Sequence, residues 1–187
     1  MTLAASGEIS IGGSTANRSI NLELNRSASA SSNLNETDLR TLAGKAGSGT
    51  TISLSDFYNK SWVNLSTVPG ASYSFAGAGT VSINLKFLSD GTWEKSGSGT
   101  STTTGTWGPT SGTGFWIRFT ETANNGSGGT WTVPSGWNEL TTTRQISGSR
   151  TSIGAHDKTF TIEVSSSSTG SPVLSTRTGV ILSIERT

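Results

Sequence analysis

Residues 81–87 read Val-Ser-Ile-Asn-Leu-Lys-Phe, and this stretch decides the fold class of the chain. Its apolar residues occupy every second position, which is the pattern of a strand with one buried face. Asp90-Gly91, the strongest short hairpin signal in the chain, follows between Ser89 and Thr92. The return strand begins at Thr92. Together these residues predict an antiparallel hairpin with one apolar face.

The same alternation recurs toward the C-terminus, and glycine-rich breaks separate the segments that carry it. These segments are residues 115–119, 160–164 and 180–184. Residues 97–105 contain only Ser, Thr and Gly, and they predict a flexible loop. Several short strands with such breaks are typical of an antiparallel β-sandwich or barrel. We expect a mainly β fold, a sandwich of about seven or eight strands over residues 62–187.

Residues 1–61 carry a different pattern, rich in Ser, Asn and Gly. Ser53 can act as the N-cap of a short helical turn, and Asp56 lies where the acid of a capping box belongs. Leu54 and Phe57 are three residues apart, so one helical turn would place both on one docking face.

Two more helical signals precede that turn. Residues 35–44 predict a helix of about two turns in which Asn35 is the N-cap and Leu39 and Leu42 share a face. Residues 20–24 alternate apolar and polar side chains, which fits either a short strand or a loose helical turn. Helices this short are unstable alone, so their apolar sides must rest on another surface.

The apolar residues of 1–61 are spread thinly, and this suggests an attachment segment. Burial yields about 25 cal/mol per Å² of apolar surface, whereas ordering the backbone costs about 1–2 kcal/mol per residue. We therefore expect the segment to need a second surface, from its own β domain, an identical subunit or another protein.

Composition excludes several classes of function. The chain has 187 residues, a net charge of +1 and no cysteine. The low charge argues against binding nucleic acid through phosphate contacts, and the lack of cysteine excludes disulfides and thiol chemistry. We see no signal peptide and no apolar run that approaches a membrane span, so we expect no membrane insertion.

The sequence contains few candidate catalytic residues. The single histidine, His156, precedes Asp157 on a segment that we expect to be a turn, where neighbouring side chains diverge into solvent. One histidine without cysteine cannot supply a usual nucleophile and base, or a transition-metal site. No two acids show a spacing that would pair them; the candidates are Asp90, Glu94, Glu121, Glu139 and Glu163. We expect no enzymatic activity and no cofactor.

The tryptophans of the β region are candidates for contacts with other molecules. Phe115 and Trp116 are adjacent, so on a strand one ring points inward and the other outward. An outward ring can serve a protein interface or a sugar-stacking platform, while many such rings simply fill a core. We expect at least one of Trp93, Trp116 and Trp137 to be exposed.

Two N-terminal stretches resemble a known family. Residues 35–44 read Asn-Glu-Thr-Asp-Leu-Arg-Thr-Leu-Ala-Gly, and residues 49–61 read Gly-Thr-Thr-Ile-Ser-Leu-Ser-Asp-Phe-Tyr-Asn-Lys-Ser. They resemble the N-terminal segments of small virion proteins from tailed bacteriophages, in which Gly usually occupies the position of Asn59. The β region is similar to the sandwich that often follows, with motifs at residues 90–93, 105–109 and 135–140.

The resemblance implies a non-enzymatic virion structural protein, made in the host cytoplasm and assembled with other virion proteins. It favours a tail- or neck-associated fibre, fibre adaptor or baseplate piece, expected to be a homo-oligomer in the particle. A capsid decoration protein and a module that binds host-surface carbohydrate are the alternatives. The segment 1–61 would then provide the attachment, through Leu39, Leu42, Leu54, Phe57 and Tyr58.

Overall fold

The computed structural model describes residues 3–15, 17–24, 26–45, 50–58, 60–108, 114–170 and 173–187. The structure is mainly β, with 44% of the described residues in strands and 8% in helices. It divides into two compact units, Met1–Val63 and Asn64–Thr187. We call them the N-terminal unit and the sandwich. Gly49, Asn59 and Pro109, which belong to the family-like motifs, lie outside the described residues.

The described part of the N-terminal unit contains three short helical elements. Helix α1 spans Ile20–Glu23, helix α2 spans Thr37–Leu42, and a 3-10 turn spans Leu54–Phe57. Residues 20–24 therefore form the helical turn and not the strand. The capping box is confirmed, because the N–H of Ser53 donates to Asp56 Oδ2 at 2.8 Å.

The expected cap of α2 is wrong by one residue. Glu36 is the N-cap residue, without a capping bond from its side chain, and Asn35 lies before it. A turn around Asn33 explains the shift. The N–H of Asn35 donates to Asn33 Oδ1 at 2.9 Å, and the N–H of Asn33 donates to Glu36 Oε1 at 2.7 Å.

The described part of the sandwich contains ten strands. In chain order they are β1 Ala71–Phe75, β2 Val81–Phe87, β3 Thr92–Gly97, β4 Thr103–Thr106, β5 Trp116–Gly126, β6 Gly129–Thr132, β7 Asn138–Glu139, β8 Arg144–Arg150, β9 Gly154–Ser165 and β10 Val173–Arg186.

Two five-stranded sheets form a β-sandwich, which confirms the predicted fold class, although the described residues form ten strands and not the expected seven or eight. The first sheet has the order β1-β10-β9-β5-β7, and the second has the order β4-β3-β2-β8-β6. Strand β1 runs parallel to β10, and the other pairs are antiparallel. The end of the expected loop at 97–105 belongs instead to strand β4, whose backbone pairs with β3.

The core lies between the sheets. Every second residue of β2 is fully buried, as its alternation predicts. Phe87 of β2 meets Phe119 of β5 with ring centroids 5.7 Å apart, and Trp131 of β6 meets Phe160 of β9 at 6.4 Å. Both contacts join one sheet to the other, as inner faces of a sandwich do.

The hairpin between β2 and β3 determines the position of Trp93. A two-residue turn at Asp90-Gly91 would pair Ser89 with Thr92. Instead the N–H of Leu88 donates to Thr92 O at 2.9 Å, and Gly91 adopts a φ of 82°. The loop therefore has three residues and ends in a left-handed glycine.

This longer loop shifts the register by one residue. Trp93 pairs with the inward-facing Phe87 and is only 5% exposed. A shift of one residue moves every side chain of a strand to the other face. The expectation that Trp93 could be an exposed contact residue is corrected on these grounds.

The N-terminal unit has a hydrophobic cluster of its own, contrary to the expectation that its apolar residues cannot bury one another. Backbone bonds between distant segments bring the sparse apolar positions together. The N–H of Leu3 donates to Lys60 O at 2.8 Å, and the N–H of Ile20 donates to Ser10 O at 3.0 Å. The buried members are Leu3, Ile9, Ile20, Leu24, Leu39, Leu42, Ala43 and Phe57.

Candidate functional site

The five predicted attachment residues separate into interior and surface positions. Leu39 and Phe57 are 0% exposed and Leu42 is 5% exposed, all within the cluster of the N-terminal unit. Direct contact of these three with another chain would require the unit to open, so their expected place at the surface is corrected. These three residues support the surface from inside the unit and are not part of it.

Leu54 and Tyr58 remain closer to the surface. Leu54 is 42% exposed, although one helical turn was expected to dock it beside Phe57. Leu54 is the first residue of its turn, and helical side chains tilt toward the N-terminus, so this one projects past the end of the element. Tyr58 is half-buried against the cluster, and its hydroxyl donates to the carbonyl of Gly7.

The outward face of the first sheet carries the other two predicted tryptophans. Trp116 and Trp137 are both half-buried and Trp93 is buried, so the expectation that at least one of the three is exposed is wrong. Trp116 lies opposite Glu139 of β7 and Ser165 of β9. Arg118 lies two residues after Trp116 on β5, on the same face of the sheet.

A charged pair fixes one of these rings. Arg118 Nε and Nη2 both donate to Glu163 Oε2, at 3.0 and 2.6 Å. The guanidinium carbon of Arg118 lies 4.7 Å from the centre of the Trp137 ring, a cation–π arrangement. We call Trp116, Arg118, Trp137, Glu139 and Glu163 the tryptophan patch.

The two rings of the tryptophan patch differ in what they can bind. Arg118 covers one face of the Trp137 ring. Gly170 lies so close that a Cβ there would approach Trp137 Nε1 to 2.2 Å. Trp137 is therefore held from two directions and acts as a support for Arg118. Trp116 is the better candidate for stacking on a sugar or packing against a partner protein.

His156 occupies a place that the sequence interpretation missed. The expected turn is part of strand β9, and His156 is only 6% exposed. Its Nε2 lies 2.7 Å from Asn124 Oδ1, and its Nδ1 accepts from Gly129 N–H at 3.2 Å. Residues 154–158 lack alternating apolar residues, so periodicity could not assign them to a strand.

Glu23 is a second group that periodicity could not reveal. It ends α1 and is only 2% exposed. Its Oε1 accepts the N–H of Trp62 at 2.8 Å. Burial raises the pKa of Glu23 from 4.5 to about 7, against the opposing effect of this hydrogen bond. A buried acid that titrates near neutrality makes the N-terminal unit sensitive to pH.

The described ranges contain neither a metal-ligand cluster nor a membrane-spanning helix. No group of three or more His, Asp or Glu side chains there is arranged to hold a metal ion. No helix there combines the length and apolar character needed to cross a bilayer. Comparison with known proteins finds no matching protein family, no matching curated protein and no matching solved structure.

Proposed function

We propose that this protein is a non-enzymatic structural component of a tailed-bacteriophage virion, associated with the tail or neck as a fibre, fibre adaptor or baseplate piece. It docks through its N-terminal unit, and the sandwich projects from the particle or packs against neighbouring subunits. The observation that carries the proposal is the coincidence of the family-like stretches, 35–44 and 49–61, with a separate compact unit.

The residues of the resemblance have a physical role in that unit. Leu39, Leu42 and Phe57 of the two stretches supply part of its hydrophobic cluster. The capping box fixes the turn that presents Leu54 at the surface. A segment with its own core offers a partner a preformed surface, which lowers the entropic cost of binding.

Two alternative functions predict different results in the experiments below. A capsid decoration protein would use the same N-terminal docking at a different place on the particle. A carbohydrate-binding module is favoured by one observation, the half-buried Trp116 on an outward sheet face beside Glu139. Aromatic rings of this kind combine a broad apolar surface with nearby hydrogen-bonding groups.

Deleting residues 1–63 tests docking by the N-terminal unit. A shorter deletion would remove Leu39 from the cluster and leave Phe57 behind, so the whole unit is the proper piece. We expect the remaining sandwich to be absent from purified virions, as measured by quantitative mass spectrometry. Normal incorporation would overturn the docking role.

A point substitution refines that test. Leu54→Asp places a charge at the exposed position and is expected to reduce incorporation at least tenfold, about 1.4 kcal/mol. Thr51→Asp, at a nearby exposed position, is the matched control and should incorporate normally. Equal incorporation of both variants would show that Leu54 does not contact the particle.

Two further measurements separate the alternatives. A whole-particle reconstruction assigns the density to the tail, the neck or the capsid, and absence from all three would refute the virion proposal. A glycan array with the wild-type protein, Trp116→Ala and Trp137→Phe tests the carbohydrate alternative. Binding that depends on Trp116 would favour that alternative, and no binding would remove it.

A further inference from the structure

His156 makes hydrogen bonds with both of its ring nitrogens. Nδ1 accepts from Gly129 N–H and from Trp131 Nε1–H, each at 3.2 Å. Nε2 lies 2.7 Å from Asn124 Oδ1. Because Nδ1 faces two donors, the ring is neutral and carries its proton on Nε2, which donates to the amide oxygen of Asn124.

These bonds join the two sheets through one imidazole. His156 and Asn124 belong to β9 and β5 of the first sheet, whereas Gly129 and Trp131 belong to β6 of the second. The Trp131 ring meets the imidazole edge-on, with centroids 5.7 Å apart and planes at 80°. Strand β6 is an edge strand that pairs only with β8 among the described strands, so His156 provides its hydrogen bonds to the other sheet.

A side chain at position 129 would collide with the imidazole. A Cβ at Gly129 would come within 2.7 Å of His156 Nδ1 and 3.1 Å of Ile184 Cδ1. The backbone of β6 therefore approaches the imidazole as closely as glycine permits. A proton on Nδ1 would point at two N–H groups and could bond to neither.

We propose that His156 is an acid-sensitive clasp between the two sheets, whose protonation at Nδ1 breaks both bonds to β6 and releases the β5–β6 end of the sandwich.

The charges around the imidazole support this behaviour. Burial lowers the pKa of His156 below its usual value, and the positive charges of Lys158 and Arg150 lower it further. Asp157 and Glu121 oppose the shift. The remaining packed elements, β6 and β10, place Trp131 and Ile184 at the ring.

The sign of the pH effect follows from this shift. A histidine whose pKa is lowered by folding prefers to be neutral in the folded state. Its stabilisation is fully present above the unfolded pKa, about 6.5, and is lost as the pH falls through the lower pKa of the folded protein. The clasp is therefore closed at neutral pH and opens in acid.

A single histidine makes the test direct, because only one imidazole contributes to the NMR spectrum. We expect its titration midpoint to lie below 6.5. In hydrogen exchange of the full chain, corrected for the intrinsic pH dependence, protection of the Trp131 indole and the Gly129 amide should fall at least about tenfold as the ring is protonated. A midpoint at or above 6.5, or unchanged protection, would overturn the proposal.

Three variants add an independent readout. Trp131→Phe removes one donor to Nδ1 and should raise the His156 midpoint, whereas Trp137→Phe, in the tryptophan patch, should leave it unchanged. Equal midpoints in both would contradict the clasp.

His156→Asn keeps an acceptor near the position of Nδ1 without a titrating group, so its Trp131 protection should no longer depend on pH below 6.5. Retention of that dependence would assign the acid sensitivity to another group.

Discussion

The N-terminal unit and the sandwich bury apolar side chains by different means. In the sandwich, rows of alternating residues on β2, β9 and β10 face one another between two hydrogen-bonded sheets. In the N-terminal unit, the cluster forms where loops return to one another, and short capped helices fill the gaps. The core of the sandwich can be predicted from the periodicity of apolar residues in the sequence. The core of the N-terminal unit depends on particular hydrogen bonds between distant segments, which no periodicity reveals.

The two units also place a titratable group in opposite situations. Glu23 of the N-terminal unit is buried with a raised pKa, so folding favours its protonated form. His156 of the sandwich is buried with a lowered pKa, so folding favours its neutral form. Stability of the first unit is expected to fall as the pH rises, and stability of the second is expected to fall in acid.

Removing one large buried ring from each unit gives the largest expected effect. Phe57→Ala and Phe160→Ala each empty a fully buried position, at a cost of about 3–5 kcal/mol. A unit of about 60 residues has little stability to lose, so Phe57→Ala should unfold the isolated piece 1–63. Phe160→Ala should lower the melting temperature of 64–187 and leave it folded.

Circular dichroism melts of the two expressed pieces check this difference. Leu54→Ala, at an exposed position of the same 3-10 turn, is the control and should change stability by less than about 0.5 kcal/mol. A piece 1–63 that melts cooperatively even with Phe57→Ala would show that its cluster is not what holds it together.

Neutralising Glu23 is expected to have the next largest effect. A rise of the pKa from 4.5 to about 7 corresponds to on the order of 3 kcal/mol of stability that is present at low pH and lost as the pH rises to about 7. Glu23→Gln keeps an acceptor for the N–H of Trp62 and removes the charge. Chemical denaturation of 1–63 should therefore show a stability that falls from pH 5 to pH 8 in the wild type and stays flat in the variant.

The exposed Glu8 supplies a control for this experiment, and Glu8→Gln should retain the wild-type pH dependence. A wild-type piece whose stability rises between pH 5 and pH 8 would contradict the raised pKa of Glu23.

The hairpin register offers a test of the sandwich alone. A Cβ at Gly105 of β4 would approach Trp93 Cζ2 to 2.4 Å, because the ring lies directly over this glycine. Gly105→Ala is expected to destabilise the sandwich by about 1–3 kcal/mol, as overpacking of a core does. Thr104→Ala, at the exposed neighbouring position, should have a smaller effect in the same thermal melts. Equal effects would place Trp93 away from Gly105.

Sequence periodicity predicted the sandwich wherever one face of a strand carries apolar residues. Val81, Ile83, Leu85 and Phe87 are all fully buried, and the fold class follows from such rows. Strand β4 contains only Thr and Gly, so its pairing depends on the neighbouring strand and on no pattern of its own. Trp93 points inward because the turn before it has three residues and not two, and the alternation of side chains does not reveal the length of a turn.

The candidate sites were less accessible to sequence reasoning for the same physical reason. Trp116 could be predicted to face outward once Phe115 was placed inside. The contacts of Trp137 with Arg118 and Gly170 join residues from three separate segments, and no local pattern connects them. His156 and Glu23 are buried and accept hydrogen bonds from residues distant in the sequence, Trp131 and Trp62.

The smallest expected effect concerns the charged pair of the tryptophan patch. Arg118 is 39% exposed and Glu163 is 16% exposed, so water screens much of their attraction. A double-mutant cycle with Arg118→Gln and Glu163→Gln should give a coupling energy of about 0.5–1 kcal/mol. The matched pair Lys86 and Glu94 lies on the second sheet at 3.6 Å, in directly opposed positions of β2 and β3.

The comparison of the two pairs isolates the contribution of the ring. Trp137 holds the guanidinium in place, which reduces the side-chain entropy that Arg118 loses on pairing. The coupling of Arg118 with Glu163 should therefore exceed that of Lys86 with Glu94, and Trp137→Leu should reduce it to the level of the second pair. Equal coupling in the two pairs would mean that Trp137 does not orient Arg118, and the tryptophan patch would then be two independent surface features.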